Sequence, residues 1–333
     1  MPMVESAVGC GSAAFGSAGR GSVIGGNEEI NLVPDDTAIV EAAEREGSEP
    51  AWALHAPAEQ TVPLVFASPH SGTDYPAAFI AASRLDPLAL RRSEDAFVDD
   101  IFAAAAEFGA PLLTATFPRA YVDPNREPFE LDPAMFDTPL PAYVNTASPR
   151  VAAGLGTVAR VVTSGEEIYR GKLRFDEVRR RIDRLYYPYH NALQRLLDQT
   201  RAKFGVCLLI DCHSMPSIGG PMDCDPGLKR FDAVLGDRFG TSCAPVVTET
   251  AERILRGLGY SVGRNIPYAG GYCTHHYGRP QARMHALQIE INRALYMDEQ
   301  MVTPVPGIVE VKSRVRQLIE GLAALGPRAL GAA

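Results

Sequence analysis

Two histidines stand where apolar runs of strand length end. His70 follows residues 62–67 in the sequence SPHSG, and His213 follows residues 206–210 in DCHS. Enzymes with α/β folds keep their chemistry at the carboxyl ends of buried strands. Catalytic zinc is commonly held by two histidines and a carboxylate, with a fourth position open to water. The two strand-end histidines therefore predict one metal site.

The predicted site needs an acidic ligand, and three residues compete for that role. Asp95 and Glu94 are expected in the first turn of a helix after His70, and Asp95 is the favoured ligand. Asp211 precedes His213 by two residues on the same strand face, so we expect it to hold the His213 imidazole. The alternative is structural, because the helix dipole favours acids in a first turn and either histidine could be a hydrogen-bonded core residue.

A basic segment with the sequence PRAYVDPNR follows a predicted strand at 111–117. Arginine binds carboxylates bidentately through its planar fork, and this segment offers Arg119, Asn125 and Arg126. It therefore suits a substrate that carries one or two carboxylates. A structural ion pair between Asp123 and Arg126 is equally compatible with the spacing.

Glu290 and a glycine-rich loop complete the candidate site. Glu290 lies in the apolar run HALQIEI, where desolvation would raise its pKa toward the range of a general base. A salt bridge to Arg293 is the alternative. Residues 270–278 carry His275 and His276, and we expect His276 to contact substrate. Ordinary loop packing is the alternative for both histidines.

The elements that must position these residues alternate between β-type and helical runs, which predicts a layered α/β architecture. Strands are predicted at 62–67, 111–117, 206–211 and 285–291. A helix is predicted over 97–108, with Ser93 as its N-cap and Gly109 as its end. A longer helix is predicted over 175–203, and Pro188 should kink or divide it.

Composition limits the organisation and the partners. The 333 residues carry a formal charge of −8, which disfavours nucleic acid and anionic membranes, so we expect a small molecule as partner. No apolar run approaches the roughly 18 residues of a membrane span. Residues 1–45 are predicted to form a flexible, Gly/Ser-rich and then acidic extension. Residues 50–330 are predicted to form one catalytic domain, in which 127–172 is a lid or insertion.

The six cysteines show no CxxC pair and no regular spacing. We therefore expect reduced thiols in a cytoplasmic protein rather than a disulfide framework. Cys212 lies on the opposite strand face from His213, which disfavours a cysteine–histidine nucleophile. The sequence leaves the oligomeric state open.

Several segments, taken in order over residues 60–300, resemble the N-formylglutamate amidohydrolase family, which is similar in fold to the zinc carboxypeptidases. They are SPHSG, the helix with Asp95, PRAYVDPNR, PYH, LLIDCHS, LGDRFGTSC, NIPYAGGYCTHHYG and HALQIEINRALYMDE. The resemblance implies one three-layer α/β domain, with a mixed central sheet and helices on both faces. It assigns zinc to His70, Asp95 and His213, the general base to Glu290, and carboxylate binding to Arg119, Asn125 and Arg126.

One departure concerns the third metal ligand. The zinc carboxypeptidases place a glutamate three residues after the first histidine, and this chain has Thr73 there. The resemblance implies hydrolysis of N-formyl-L-glutamate to formate and L-glutamate, at the end of one histidine-degradation route, with zinc or another divalent ion such as Mn²⁺ or Fe²⁺. The alternatives are a zinc-dependent hydrolase of another N-acyl amino acid or small peptide, and a non-catalytic metal-binding protein of the same fold.

Overall fold

The computed structural model describes residues 50–221 and 223–331, so the predicted extension at 1–45 lies outside the described residues. Its main strands are β1 Trp52–His55, β2 Leu64–Ser68, β3 Leu112–Ala115, β4 Cys207–Met215, β5 Ala233–Gly236, β6 Val262–Arg264 and β7 Met284–Asn292. They form one seven-stranded sheet in the order β1-β3-β2-β4-β7-β5-β6. Two further strands, β8 Met297–Asp298 and β9 Thr303–Pro304, pair antiparallel as a separate small sheet.

The central sheet is mixed, as the sequence predicted. Strands β2, β3, β4 and β7 run parallel, whereas β1 is antiparallel to β3 and β5 is antiparallel to β7. The four predicted strands are present as β2, β3, β4 and β7. Strands β1, β5 and β6 were not predicted, because three or four residues give too short a pattern to recognise.

Strands β4 and β7 lie at the centre of the sheet and are buried along their whole length. Buried parallel strands are apolar on both faces, which explains the continuous hydrophobic runs in their sequences. Their register pairs His213 with Glu290, and Asp211 with Gln288. The same register therefore sets the predicted base beside one predicted metal ligand.

Helices cover both faces of the sheet and give the predicted three layers. They are α1 Ala77–Ala82, α2 Pro87–Arg91, α3 Val98–Phe102, α4 Pro149–Ala152, α5 Phe175–Arg181, α6 Tyr187–Phe204, α7 Pro245–Gly257, α8 Tyr272–Tyr277 and α9 Gly307–Ala323. Helices α3, α7 and α9 pack on the face that carries Phe66 of β2, whereas α5 and α6 pack on the face that carries Val65. Within residues 50–221 and 223–331, no helix is long and apolar enough to cross a membrane.

The predicted helix at 97–108 is present but begins differently from the prediction. Helix α3 continues as a 3₁₀ helix over Ala103–Phe108 and ends at Gly109, which adopts the predicted left-handed conformation. The prediction of Ser93 as N-cap was wrong, because Ser93 Oγ accepts a hydrogen bond from the backbone N–H of Thr163. The N-cap is Phe97, with φ of 67°.

The left-handed turn at Phe97 sets the position of Asp95, the predicted metal ligand. Asp95 precedes the helix rather than lying in its first turn, and its backbone N–H donates to His70 O at 3.0 Å. Asp95 therefore belongs to a turn that is fastened to the loop after β2, and the helix dipole does not explain its position.

The predicted long helix is divided, as the position of Pro188 indicated. A π-helical turn over Ile182–Tyr186 separates α5 from α6, and Pro188 lies in the first turn of α6. Proline has no N–H to donate to the preceding turn, so the wide turn accommodates it. Tyr186 donates to Arg126 O at 2.8 Å, and His190 Nε2 lies 2.8 Å from Pro124 O. The divided helix therefore supports the PRAYVDPNR segment.

The segment 127–172 contains α4 and contributes to the core. Leu131, Val158 and Ile168 are at most 1% exposed and join the same apolar cluster as Val65. The apolar burial fixes one side of the segment to the domain. Its role as a lid stays a prediction.

Candidate active site

Three of the predicted residues meet at the carboxyl ends of β2 and β4. Asp95 Oδ2 lies 3.2 Å from His70 Nδ1 and 2.8 Å from His213 Nδ1. All three residues are at most 2% exposed, and one ligand atom of each lies within 4.8 Å of the others. The parallel strands and the turn before α3 thus bring together residues that are distant in the sequence.

The buried carboxylates give this cluster a negative potential. Burial alone would raise the pKa of Asp95, but hydrogen bonds from His213 and His70 hold it well below its usual value. Burial alone would lower the pKa of His213, but the carboxylates of Asp211 and Asp95 raise it well above its usual value. The cluster therefore favours a positive charge, supplied by protons or by a metal ion.

The outer nitrogens of both imidazoles also face carboxylates. His70 Nε2 lies 2.7 Å from Asp123 Oδ1, and His213 Nε2 lies 3.0 Å from Asp211 Oδ1. A metal-bound histidine usually donates its other N–H to such a group, which leaves the inner nitrogen free to bind. Two inward Nδ1 atoms and the Asp95 carboxylate form the donor set of a catalytic zinc site with an open position. The residues therefore fit zinc, and the same donors also suit Mn²⁺ or Fe²⁺.

The structure also separates the three acids that competed for the ligand position. Glu94 points to other partners, because its carboxylate accepts from Tyr75 OH at 2.8 Å and from Arg91 Nε at 3.0 Å. Asp211 lies on the outer side of His213, where the sequence placed it. Asp95 is the acid whose carboxylate faces both imidazoles.

Asp123 is the site residue that sequence reasoning missed. Its Oδ1 accepts from the backbone N–H of Asn125 at 2.8 Å as well as facing His70, and its Oδ2 accepts from Arg119 at 2.9 Å. The predicted ion pair with Arg126 is looser, at 3.8 Å. The only sequence signal was the position of Asp123 between two arginines.

We call His70, Asp95 and His213 the metal cluster, because they are the candidate ligands of one ion. Glu290 lies beside this cluster and is 6% exposed. Burial and, to a smaller extent, the charge of Asp95 raise the pKa of Glu290 to about 7. Its carboxylate accepts from Gln288 Nε2 at 2.8 Å. The alternative salt bridge to Arg293 is absent, because Arg293 donates to Asp95 Oδ1 at 2.9 Å and to Ser214 Oγ at 3.1 Å. A carboxylate with this pKa can accept a proton near neutral pH.

Arg119 and Asn125, two predicted substrate contacts in the PRAYVDPNR segment, have different neighbours. The guanidinium of Arg119 reaches the metal cluster, with its NH1 3.6 Å from Asp95 Oδ1. The amide of Asn125 is engaged within the protein: its Oδ1 accepts from Cys273 N–H at 2.8 Å, and its Nδ2 lies 3.0 Å from His213 Nε2. Asn125 therefore lies behind His213, on the side of the ring nitrogen that faces Asp211.

Arg126 is half-buried, with 14% of its side chain exposed, and its charge is incompletely compensated. It donates to two backbone carbonyls, those of Leu155 and Asn125, each at 2.9 Å. Burial lowers the pKa of Arg126 to about 10, because Asp123 only partly offsets it and Arg150 adds repulsion. A guanidinium in this condition gains from a further anion.

The two histidines of the glycine-rich loop are exposed and differ in their surroundings. His276 stacks on Tyr272 with ring centroids 5.0 Å apart, and its Nδ1 lies 3.2 Å from the Tyr272 hydroxyl. Burial lowers the pKa of His275, and the charges of the nearby Arg238 and Arg150 lower it further. The predicted substrate contact of His276 stays a prediction.

The arrangement is typical of α/β enzymes that activate water at a metal ion, and comparisons with known proteins narrow this class. The sequence profile of N-formylglutamate amidohydrolase matches residues 62–297. An N-formylglutamate deformylase of Pseudomonas aeruginosa is 31% identical over 270 residues, which cover 80% of this chain and 94% of that protein. A deformylase of the same name from Pseudomonas putida is 29% identical over 241 residues, or 72% of this chain and 83% of that protein.

A solved structure agrees with these sequence matches. The crystal structure of N-formylglutamate amidohydrolase from Ralstonia eutropha matches with a TM-score of 0.77 and 38% identity, over 84% of this chain and 100% of that chain. The chain belongs to the N-formylglutamate amidohydrolase family. It is an amide-hydrolysing enzyme.

Proposed function

We propose that this enzyme hydrolyses the formamide bond of N-formyl-L-glutamate, releasing formate and L-glutamate, with a divalent ion held by His70, Asp95 and His213. The observation that carries the proposal is the position of Asp95 Oδ2 between two imidazole nitrogens, with Glu290 on the neighbouring strand. The names of the relatives in the two Pseudomonas species and in Ralstonia support the substrate. Zinc is the ion that the donor set favours.

A bound ion would supply Lewis acidity toward the formyl oxygen and make water a better nucleophile. The chain's own residues account for the proton movements. The carboxylate of Glu290 accepts a proton from the attacking water and then donates it to the nitrogen of the leaving glutamate. Its pKa of about 7 suits both steps, because the group can hold and release a proton near neutral pH.

The residues around the metal cluster have supporting roles in this proposal. Asp123 and Asp211 fix the rings of His70 and His213 by accepting from their outer nitrogens. Asn125 holds the glycine-rich loop beside them by accepting from Cys273 N–H. Such partners orient ligands and maintain their tautomers.

We assign the binding of substrate carboxylates to Arg119 and Arg126. Arg119 is 21% exposed at the side chain and lies against the metal cluster, so it can reach a carboxylate next to the reacting amide. Arg126 carries the incompletely compensated charge described above. Anchoring both ends of a small substrate would hold the formamide in position for attack. In the cell, we place this reaction in the cytoplasm at the end of histidine degradation.

Hydrolysis of three substrates, measured as the formate or acetate released, tests the proposal. The purified, zinc-supplemented enzyme is assayed with N-formyl-L-glutamate, N-acetyl-L-glutamate and N-formyl-L-leucine. We expect rapid formate release from the first and little hydrolysis of the other two. Faster hydrolysis of N-acetyl-L-glutamate would assign another acyl group, and faster hydrolysis of N-formyl-L-leucine would contradict recognition of an acidic side chain.

A further inference from the structure

A group of basic side chains lies beside Arg126 and has no contact with the metal cluster described above. We call Arg126, Arg150, Arg238 and His275 the cationic cluster. Arg150 lies on α4 in the segment 127–172, Arg238 follows β5, and His275 lies on α8. With Arg126 from the PRAYVDPNR segment, four separate parts of the chain therefore contribute to it.

Short backbone contacts join these parts. Arg126 Nε donates to Leu155 O at 2.9 Å, and Leu155 N–H donates to Arg150 O at 2.8 Å. On the other side, Arg238 NH1 donates to Gly270 O at 3.2 Å. These contacts place Arg150 and Arg238 near the PRAYVDPNR segment, each through a different neighbouring loop.

Gly271 brings the glycine-rich loop against the PRAYVDPNR segment. A Cβ atom at this position would lie 2.4 Å from Asn125 Nδ2, so the loop can approach Asn125 only as glycine. His275 N–H donates to Gly271 O at 3.1 Å. The loop therefore holds Arg238 and His275 next to the segment that carries Arg126.

Arg150 and Arg238 differ in charge compensation from the other arginines of the site. In the part of the chain that the structure describes, no carboxylate lies within ion-pair distance of Arg150 or Arg238, whereas Arg119 and Arg293 both pair with Asp95. Burial lowers the pKa of Arg238, and the charge of Arg150 lowers it further. A bound anion would relieve this repulsion.

Three acids near the cluster offset only part of its charge, and the one with the largest effect on Arg126 is Asp123, 3.8 Å from its NH2. Glu127 raises the pKa of His275, and Glu130 raises the pKa of Arg126. In each case the effect is smaller than those of burial and the neighbouring arginines. Glu127 also accepts a hydrogen bond from Asn145 Nδ2 at 2.9 Å. The cluster therefore keeps a net positive charge.

The turn that carries Arg238 is held in an uncommon conformation. Arg238 and Phe239 have φ values of 50° and 57°, which non-glycine residues seldom adopt. Asp237 fixes the turn by accepting from Gly240 N–H at 2.9 Å and from Asn265 Nδ2 at 2.8 Å. Such backbone strain persists where the surrounding structure enforces it, often at ligand-binding positions.

We propose that Arg150 and Arg238 bind the side-chain carboxylate of the substrate together with Arg126, while Arg119 binds the carboxylate next to the formamide. This inference rests on the proposed function and adds the residues that select an acidic side chain. The two carboxylates of glutamate are separated by a short aliphatic chain, so the second carboxylate needs its own anion site, which Arg126, Arg150 and Arg238 would supply. Guanidinium groups bind carboxylates through paired, charge-assisted hydrogen bonds.

The test compares two substrates of the same size and different charge. Formate release from N-formyl-L-glutamate and N-formyl-L-glutamine is measured for the wild type, Arg150→Gln and Arg238→Gln. We expect each variant to lose about 10- to 100-fold in kcat/KM for the glutamate substrate, chiefly through KM, because a charge-assisted hydrogen bond is lost. The glutamine substrate should change less than about threefold, so the preference for glutamate collapses.

Two further sets of variants separate charge from structure. Arg150→Lys and Arg238→Lys retain the charge and should recover part of the preference. Arg179→Gln, an exposed arginine on α5, is the matched control and should leave both substrates unchanged.

The outcomes distinguish this inference from the proposed function. Absence of formate release by the wild type would remove the proposed function. An active wild type whose Arg150 and Arg238 variants keep the glutamate preference, or lose both substrates equally, would overturn the assignment of these arginines and leave the function standing.

Discussion

His190 should make the stability of the enzyme fall steeply below pH 6.5. The side chain is 8% exposed, with its two ring nitrogens 2.8 Å from Tyr277 OH and from Pro124 O. Burial lowers the pKa of His190 from 6.5 to about 4, and the hydrogen bond to Pro124 O opposes this only in part. His276 lowers the pKa slightly further, and Asp211 raises it slightly.

The sign and size of the effect follow from these values. Because the folded-state pKa is depressed, the unfolded chain binds a proton to His190 between pH 6.5 and 4, whereas the folded enzyme does not. The free energy of unfolding therefore decreases as the pH falls through this range, and it is unaffected by His190 above it. Each pKa unit corresponds to about 1.4 kcal/mol, so the full loss from His190 is about 3 kcal/mol.

Denaturant unfolding at pH 7 and pH 4.5 measures this loss. The matched variant is His190→Gln, which keeps an N–H donor for Pro124 O but has no titrating group. The wild type should lose about 2–3 kcal/mol more than the variant between the two pH values, because the contributions of all other titrating groups cancel in the comparison. An equal pH dependence of the two proteins would refute the reasoning that His190 is held neutral by burial.

Three further predictions concern the site itself. Glu290→Gln should lower kcat for formate release by about 10²- to 10⁴-fold with little change in KM, and near-normal turnover would remove Glu290 from the role of base. Asp123→Asn should weaken metal binding about 10- to 100-fold by removing the carboxylate that faces His70; metal titration checks this, and unchanged affinity would contradict it. Gly271→Ala should reduce the free energy of unfolding by about 1–3 kcal/mol, since its Cβ would lie 2.4 Å from a neighbouring nitrogen. Gly171→Ala, where a Cβ meets no atom within 4 Å, is the thermal-unfolding control, and equal melting temperatures would contradict the packing argument.

The main strands and the metal cluster were predictable because they share one local signal. His70 and His213 each follow an apolar run, and parallel strands bring such ends to the same edge of the sheet. Glu290 was predictable for a similar reason, since a lone carboxylate in an apolar strand needs a functional or structural partner. These inferences need only the order of residues within each strand.

The contacts that depend on tertiary structure were not predictable. The turn before α3 carries acids that a helix dipole would also favour, so the sequence could not distinguish a first helical turn from a turn fastened to His70 O. Asp123 was considered with Arg126, its near neighbour in the chain, whereas its shorter contact is with His70 across 53 positions. The cationic cluster joins four distant segments, and the sequence pointed only to Arg126 and His275 within it.

Metal-dependent release of formate tests the central proposal most directly. One preparation is freed of metal with a chelator, assayed with N-formyl-L-glutamate, and then titrated with Zn²⁺ while bound zinc and formate are measured together. We expect activity to disappear on chelation and to return in proportion to the zinc bound at His70, Asp95 and His213, reaching its maximum at about one ion per chain. Full activity in the metal-free sample, or stoichiometric zinc binding without formate release, would contradict the proposal.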